Sequence, residues 1–261
     1  MNIIDTHAHL NDERLFNDIE SVIKRAKENG VCAVVNNADS LASFDDILAL
    51  STRYPDYCYA VLGIHPEYAK ESEDYFEKAY QKIRTYRDKI KAIGEIGLDY
   101  HYDKSEETKA IQKKRFIEQI NLAKELNLPI VIHSRDADFD TLNIIKETLP
   151  PKIDLHCYSG SLDILKEYLK LNLEVHIGIG GVSTFKNAKT IQNIIKEVPL
   201  DILLTETDCP YLTPSPFRGE RNEPSYLPYI VRQIASLKGE NIDYVAEQLL
   251  KNGKKFYGIE S

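Results

Sequence analysis

Apolar residues recur along the chain in two alternating patterns. Short runs rich in β-branched residues predict strands, and the longer segments between them carry apolar residues at the spacing of amphipathic helices. We predict eight strands, at residues 3–9, 31–36, 58–64, 90–96, 129–133, 153–157, 173–178 and 202–206. Strands that alternate with helices in this way indicate βαβ units and a parallel sheet.

The helical segments carry recognisable signals at their ends. Apolar positions between 15 and 26 predict one helix, and those between 107 and 127 predict a second, longer one. We expect Ser161 to cap the helix that follows the sixth strand, because its hydroxyl can accept from a free backbone N–H. Pro224 suits the first turn of a helix that begins near Asn222.

Eight such alternations, without a break in composition, predict a closed (β/α)8 TIM barrel that forms one domain over residues 1–261. The alternative is an open, doubly wound sheet. That fold usually carries Gly-x-Gly-x-x-Gly after its first strand, and this chain lacks the motif there. Only a barrel brings the ends of strands one, four, five, six and eight to one mouth, where the candidate chemistry lies.

Six side chains that can bind a metal ion stand at or just after strand ends: His7, His9, Glu95, His133, His156 and Asp208. His7 and His9 are two positions apart on one strand and therefore share a face. Imidazole and carboxylate together suit borderline ions such as Zn²⁺ or Mn²⁺, with Mg²⁺ as a further candidate. Because the set exceeds what one four-coordinate ion needs, we expect two divalent ions, bridged by Glu95.

The same residues predict a catalytic role. A carboxylate beside a cation stays ionised, so Asp208 is the expected general base for water. We expect Glu206 to support the metal ligands without binding the metal itself. His65, Arg135, Arg218 and Asn222 are the expected substrate contacts; Arg218 and Asn222 lie in a proline-rich loop at 209–224, predicted to be a semi-rigid flap. We expect at most one of four tyrosines to stack on a base: Tyr100, Tyr102, Tyr158 and Tyr211.

Composition limits the other possibilities. The chain has 33 basic and 41 acidic residues, a net charge of -8, so any nucleic-acid binding must rely on local charge. Its four cysteines form no Cys-x-x-Cys pair, and no apolar run approaches the roughly 20 residues of a membrane span. We therefore expect a cytoplasmic protein without membrane contact, either a monomer or a homodimer.

Seven motifs occur in order along nearly the whole chain: Asp5-Thr6-His7-Ala8-His9, Gly63-Ile64-His65-Pro66, Gly94-Glu95-Ile96-Gly97-Leu98-Asp99-Tyr100, His133-Ser134-Arg135, His156-Cys157-Tyr158-Ser159-Gly160, Glu206-Thr207-Asp208-Cys209-Pro210-Tyr211 and Arg218-Gly219-x-x-Asn222-Glu223-Pro224. This series resembles the motifs of the TatD-type metal-dependent deoxyribonucleases. The resemblance implies a metallo-dependent hydrolase barrel that cleaves DNA phosphodiesters, often from a 3′ end, on single strands or frayed ends. By that likeness one metal belongs to His7, His9 and Asp208, the second to His133 and His156, and Glu95 bridges them.

Two other functions stay open at this point. The first is hydrolysis of small cyclic amides, lactones or phosphoesters by the same binuclear centre. Related barrels of that kind bridge their ions through a modified lysine at the end of strand four, where this chain has Glu95. The second is a barrel that binds metal or nucleotide without catalysis. The presence of a candidate general base, Asp208, and of the predicted flap argues against this function.

Overall fold

The structure, a computed structural model, describes residues 1–260. It contains eight parallel strands: β1 (Ile3–Ala8), β2 (Val31–Asn37), β3 (Cys58–Leu62), β4 (Ile90–Asp99), β5 (Ile130–Arg135), β6 (Lys152–Leu155), β7 (Glu174–Ile179) and β8 (Leu203–Thr205). Each predicted strand is present, with ends that agree to within three residues. The strands are hydrogen-bonded in the order in which they occur along the chain.

Helices alternate with these strands: α1 (Glu13–Phe16), α2 (Ile19–Glu28), α3 (Phe44–Arg53), α4 (Glu73–Thr85), α5 (Glu106–Leu126), α6 (Asp138–Thr148), α7 (Leu162–Leu169), α8 (Lys189–Glu197), α9 (Leu227–Lys238) and α10 (Ile242–Tyr257). Ser161 caps α7 as predicted, since its side chain accepts from the backbone N–H of Ile164. Within residues 1–260, each helix falls short of the length or apolar character needed to cross a bilayer.

Two boundaries differ from the predicted ones in a way that matters. The first predicted helix is divided into α1 and α2, because Asp18 leaves helical geometry with a φ of -127°. β4 continues to Asp99, three residues beyond its predicted end at residue 96. At the other predicted helix start, Pro224 opens a short 3-10 turn that leads into α9.

The order of the strands and their parallel direction confirm the predicted (β/α)8 TIM barrel. β1 meets β8 along the line where the barrel closes: Thr6 donates its hydroxyl to the carbonyl of Thr205, and Thr205 donates its own to the carbonyl of Ile4. Just beyond β8, Ala8 and Cys209 form an isolated parallel bridge. The segment that follows β8 is therefore held beside the carboxyl end of β1.

Contacts between α-carbons divide the chain into two compact units. The first unit comprises Met1–Asn36, Ala49–Tyr59 and His176–Ser261. Its core lies between β1, β8 and α10, where all six residues of β1 are buried. The buried Tyr257 of α10 donates its hydroxyl to the carbonyl of Thr6, which ties the helix to the strand.

The second unit comprises Asn37–Leu48 and Ala60–Val175. Its core lies where α5 packs against β4 and β4 pairs with β5. α5 buries Phe116, Ile120 and Ala123 of its predicted apolar face. The same helix also buries polar side chains, and two of these bear directly on the candidate site.

Candidate metal centre

His7, His9 and Asp208 form a cluster in the first unit. The two Nε2 atoms of the histidines lie 3.2 Å apart, and Asp208 Oδ1 lies 3.3 Å from His9 Nε2 and 3.9 Å from His7 Nε2. A tetrahedral ion with bonds of roughly 2.1 Å separates its ligand atoms by about 3.4 Å. The three side chains, of which His7 is fully buried, therefore fit one divalent cation.

Backbone hydrogen bonds hold the two arms of this cluster together. The N–H of Asp208 donates to the carbonyl of His7 at 2.9 Å, and the N–H of His9 donates to the carbonyl of Cys209 at 2.9 Å. Asp208 adopts a positive φ of 55°, a conformation that aspartate tolerates better than most residues. The separation of Asp208 from the histidines is thus fixed by the chain itself.

A buried carboxylate supports both arms from behind. Asp5 accepts from the backbone N–H groups of His7 and Thr207 at 3.3 and 2.9 Å, and from the hydroxyl of Thr207 at 2.6 Å. Burial raises the pKa of the Asp5 carboxyl to about 7, although these hydrogen bonds act in the opposite direction. Asp5 was not among the predicted site residues, because its role depends on contact with a segment about 200 residues away.

Glu206, expected behind the ligands, is completely buried. Its carboxylate lies against Gly178 of β7, where any Cβ atom would overlap with the carboxylate oxygens. Glycine at this position therefore makes the room that a buried acid needs beside the cluster.

A second cluster surrounds Glu95 in the second unit. Glu95 Oε1 lies 2.7 Å from His133 Nδ1 and 3.8 Å from the Nε2 atoms of His65 and His156. The side chain of Glu95 is 5 % exposed, and that of His156 is 4 % exposed. Three imidazole nitrogens around one buried carboxylate oxygen form a donor set that suits Zn²⁺ or Mn²⁺.

Asp99, which lies beyond the predicted end of the fourth strand, is part of this cluster. Its Oδ2 lies 3.0 Å from Nε2 of His133, on the side of the ring opposite to Glu95. Burial disfavours the charged imidazole, but the hydrogen bonds with Asp99 and Glu95 prevail and raise the pKa of His133 to about 9. Each of His65, Asp99 and His133 offers a donor atom within 4.8 Å of the others.

Two glutamines of α5 clamp the backbone next to these residues. Gln112 donates to the carbonyl of Asp99 and accepts from its N–H, both at 2.9 Å. Gln119 makes the same pair of hydrogen bonds with Ile64, at 3.0 and 2.8 Å, directly before His65. Both side chains are buried. The helix thus holds two strand ends that contribute side chains to the cluster.

The two arginines predicted to contact substrate are exposed, each beside an aromatic ring. The guanidinium of Arg135 lies 5.3 Å from the centroid of Tyr102 and within 3.5 Å of its hydroxyl. That of Arg218 lies 4.5 Å from the ring of Phe185. Both cations therefore stay accessible to an anionic ligand.

Asn222 has a different environment from the one expected of a substrate contact. It is completely buried, and its amide donates to the carbonyls of Thr207 and Tyr211 at 2.8 and 2.6 Å. Next to it, Glu223 forms a two-pronged ion pair with Arg25 of α2, with both distances 2.7 Å. These contacts anchor the predicted flap beside Asp208, and the amide of Asn222 is engaged in hydrogen bonds within the chain.

Comparison with known proteins identifies the family of the chain. A model of the family described as TatD related DNase matches residues 4–258. An uncharacterized metal-dependent hydrolase of Bacillus subtilis, YabD, is 44 % identical over 259 residues, covering 98 % of this chain and 99 % of its own. The 3′-5′ ssDNA/RNA exonuclease TatD of Pantoea ananatis is 31 % identical over 263 residues, covering 98 % and 100 %.

Solved structures give the same result. The crystal structure of YjjV, a TatD homologue from Escherichia coli K12, superposes with a TM-score of 0.92 at 31 % identity, covering 99 % of this chain and 98 % of its own. The match of family and fold extends over almost every described residue. The chain therefore belongs to the TatD-related family of metal-dependent hydrolases, as the seven sequence motifs predicted.

Proposed function

We propose that this protein is a two-metal phosphodiesterase that shortens DNA from the 3′ end, on single strands or frayed ends. The observation that carries the proposal is the pair of clusters described above, each of which gathers imidazole nitrogens around one carboxylate oxygen. Membership of the TatD-related family supports the same reaction class.

The residues of both clusters lie in the carboxyl-terminal halves of strands or just after them. In a TIM barrel these strand ends surround a single mouth. We therefore assign them to one binuclear centre for Mg²⁺, Mn²⁺ or Zn²⁺. In this assignment His7, His9 and Asp208 would hold one ion, His133 and His156 would hold the other, and Glu95 would serve both.

Bound divalent ions supply a more acidic water and neutralise negative charge on the phosphate. The side chains perform the remaining steps. Asp208 accepts the proton of the attacking water, and its position is fixed by its backbone bond to His7. Asp99 keeps the ring of His133 oriented, with Nδ1 towards Glu95.

Substrate binding draws on groups around this centre. His65 lies 3.8 Å from Glu95, so its imidazole can donate to a phosphate oxygen held beside that carboxylate. Arg135 and Arg218 are exposed cations that suit phosphates further along a strand. These local charges are needed because the net charge of -8 repels a polyanion. The name of the Pantoea relative, a 3′-5′ ssDNA/RNA exonuclease, supports this choice of substrate.

The test uses protein stripped of metal and resupplied with Mg²⁺, Mn²⁺ or Zn²⁺. End-labelled single-stranded DNA, the matching RNA, a lactone and a cyclic amide are offered to the wild type and to Glu95→Gln. Glu118→Gln serves as the control, since Glu118 lies on α5 and contacts Tyr80 and Arg115 instead of the site. We expect metal-dependent shortening of DNA that only Glu95→Gln abolishes.

Turnover of the lactone or the amide without cleavage of DNA would overturn the proposal in favour of a small-molecule hydrolase. Tight metal binding without turnover of any of the four compounds would favour a non-catalytic barrel. Cleavage that persists in Glu95→Gln would remove Glu95 from the bridging position.

A further inference from the structure

The structure distinguishes between the four tyrosines that the sequence offers for stacking on a base. Tyr100 and Tyr158 are buried, and their hydroxyls donate to Asp140 and to the carbonyl of Ser161. Neither ring therefore exposes a face on which a base could stack. The other two, Tyr102 and Tyr211, are 79 % and 48 % exposed.

Tyr211 lies beside the metal cluster of the first unit. The centroid of its ring is 6.4 Å from that of His9, with the two rings nearly perpendicular. Its N–H donates to the carbonyl of Asp208 at 2.9 Å, and its own carbonyl accepts from the buried amide of Asn222. A group stacked on Tyr211 would therefore lie at a fixed distance from two of the proposed metal ligands.

Arg14 supports the ring from one side. Its guanidinium lies 4.5 Å from the centroid of Tyr211, in cation–π geometry. It is itself oriented by two hydrogen bonds to Asp12, at 2.8 and 2.7 Å, and Asp12 also caps α1. Because Asp12 neutralises the cation, this arrangement favours a flat, uncharged partner over a phosphate. Nearly half of the surface of Tyr211 remains exposed although Arg14 covers one face.

Tyr102 lacks this second set of contacts. It follows β4 in the second unit, and its neighbours are the exposed Arg135 and His101. The rings of Tyr102 and His101 have their centroids 4.9 Å apart. Arg135 is a proposed phosphate contact, but neither neighbour is a proposed metal ligand. Tyr211 is therefore the tyrosine that combines exposure with direct contact to the site.

We propose that Tyr211 is a stacking platform for the nucleobase next to the phosphate that is cut. The proposal rests on the proposed function, because it presumes a nucleic-acid strand at the metal centre. Stacking on an aromatic ring tolerates every base, so this subsite selects unpaired nucleotides without selecting a sequence. A paired base has its faces covered by its neighbours in the duplex, which explains a preference for single strands or frayed ends.

The test compares two single-stranded oligonucleotides, one with normal bases and one with abasic nucleotides at its last two 3′ positions. For the wild type we expect the KM to be roughly 10- to 100-fold higher on the abasic strand, from the contribution of one stacked base. We expect Tyr211→Ala to raise the KM on the normal strand by a similar factor and to leave the KM on the abasic strand unchanged. Tyr211→Phe, which keeps the ring, should match the wild type.

Tyr244→Ala is the matched control, since Tyr244 is 53 % exposed on α10 of the same unit. A third strand carries 2-aminopurine at its 3′ end, whose emission is quenched when the base stacks. We expect quenching by the wild type and by Tyr244→Ala, and none by Tyr211→Ala.

Several results would overturn the platform. If Tyr211→Ala raised the KM equally on the normal and the abasic strand, Tyr211 would have only a structural role. If the wild type had equal KM values on the two strands, stacking would be excluded without any variant. A loss in Tyr102→Ala alone would move the subsite to the second unit. If no metal supports cleavage, the proposed function fails separately: quenching that requires Tyr211 would still support stacking, and its absence would refute it.

Discussion

Replacement of Asp99 by asparagine changes the two hydrogen bonds that its carboxylate accepts. Oδ2 faces Nε2 of His133 at 3.0 Å, and Oδ1 accepts from the backbone N–H of His101 at 2.8 Å. A carboxylate accepts at both oxygens, whereas an amide accepts at only one. In either orientation of the amide, its NH2 group therefore faces another donor, and one of the two contacts is lost.

The effect of this replacement on metal affinity depends on pH, because Asp99 acts on His133 in two ways. It strengthens the imidazole as a metal ligand, and loss of such a partner typically weakens metal binding 10- to 100-fold, or about 1.4 to 2.7 kcal/mol. It also helps to raise the pKa of His133 to about 9, so a proton competes with the metal below that pH. Asp99→Asn relieves this competition.

We therefore expect Asp99→Asn to weaken metal affinity by the full factor above about pH 9.5 and by much less at pH 7. The affinity of metal-stripped protein is measured by competition with a chromophoric chelator at both pH values. Asp136→Asn is the control, because Asp136 pairs with His101 at 3.3 Å in an exposed position. An affinity that is unchanged at both pH values, in a variant with wild-type unfolding behaviour, would refute the role given to Asp99.

Four further predictions rest on contacts described in the Results. Gln119→Leu leaves a buried N–H and a buried carbonyl unpaired, and we expect a loss of about 1–3 kcal/mol for each in urea unfolding, with exposed Gln81→Leu as the control. Metal binding should release close to one proton from His133 below pH 9 and none well above it, as measured by calorimetry in buffers of different ionisation enthalpy. The metal-free protein should lose the stability supplied by charged His133 as the pH rises from about 6.5 through 9, as seen in its unfolding midpoint. Arg25→Met should cost about 1–2 kcal/mol in the same unfolding assay, because it leaves the buried Glu223 without its main partner while Arg25 itself is partly screened by water.

Periodicity and residue type were sufficient to predict the fold and to select candidate donors that the structure brings close together, such as His9 and Asp208. The strand pattern predicts all eight strands because each is short, β-branched and flanked by polar segments. His7 and His9 can be recognised as partners without a structure, since residues two apart on a strand share a face. The contact of Asp208 with this pair follows from the barrel, which brings the end of β8 beside that of β1.

Asp99 was missed for a local reason. The predicted fourth strand ended at residue 96, and the polar residues from 99 onwards indicated a loop, whereas the strand continues to Asp99 and pairs it with Arg135 of β5. A polar residue at a strand end is ambiguous in sequence, because solvent and a neighbouring imidazole satisfy it equally well. Asn222 was misjudged in the opposite direction. Because it stands among arginines and glutamates, the sequence indicated an exposed amide, yet tertiary contacts bury it completely.

Helix α5 shows why the distances between site residues cannot be predicted from the sequence pattern. Gln112 and Gln119 are seven positions apart, so they occupy the same side of the helix, about 10 Å from each other along its axis. Their paired hydrogen bonds fix the chain at Asp99 and at Ile64, just before His65, and both segments present a side chain to His133. Strand order determines which residues meet, but it leaves their final separation free by an ångström or more, which is the tolerance that separates a working site from a loose one. Two amides on one rigid helix remove that freedom, so a barrel with every proposed ligand but apolar residues at these two positions would keep the motifs and lose the geometry.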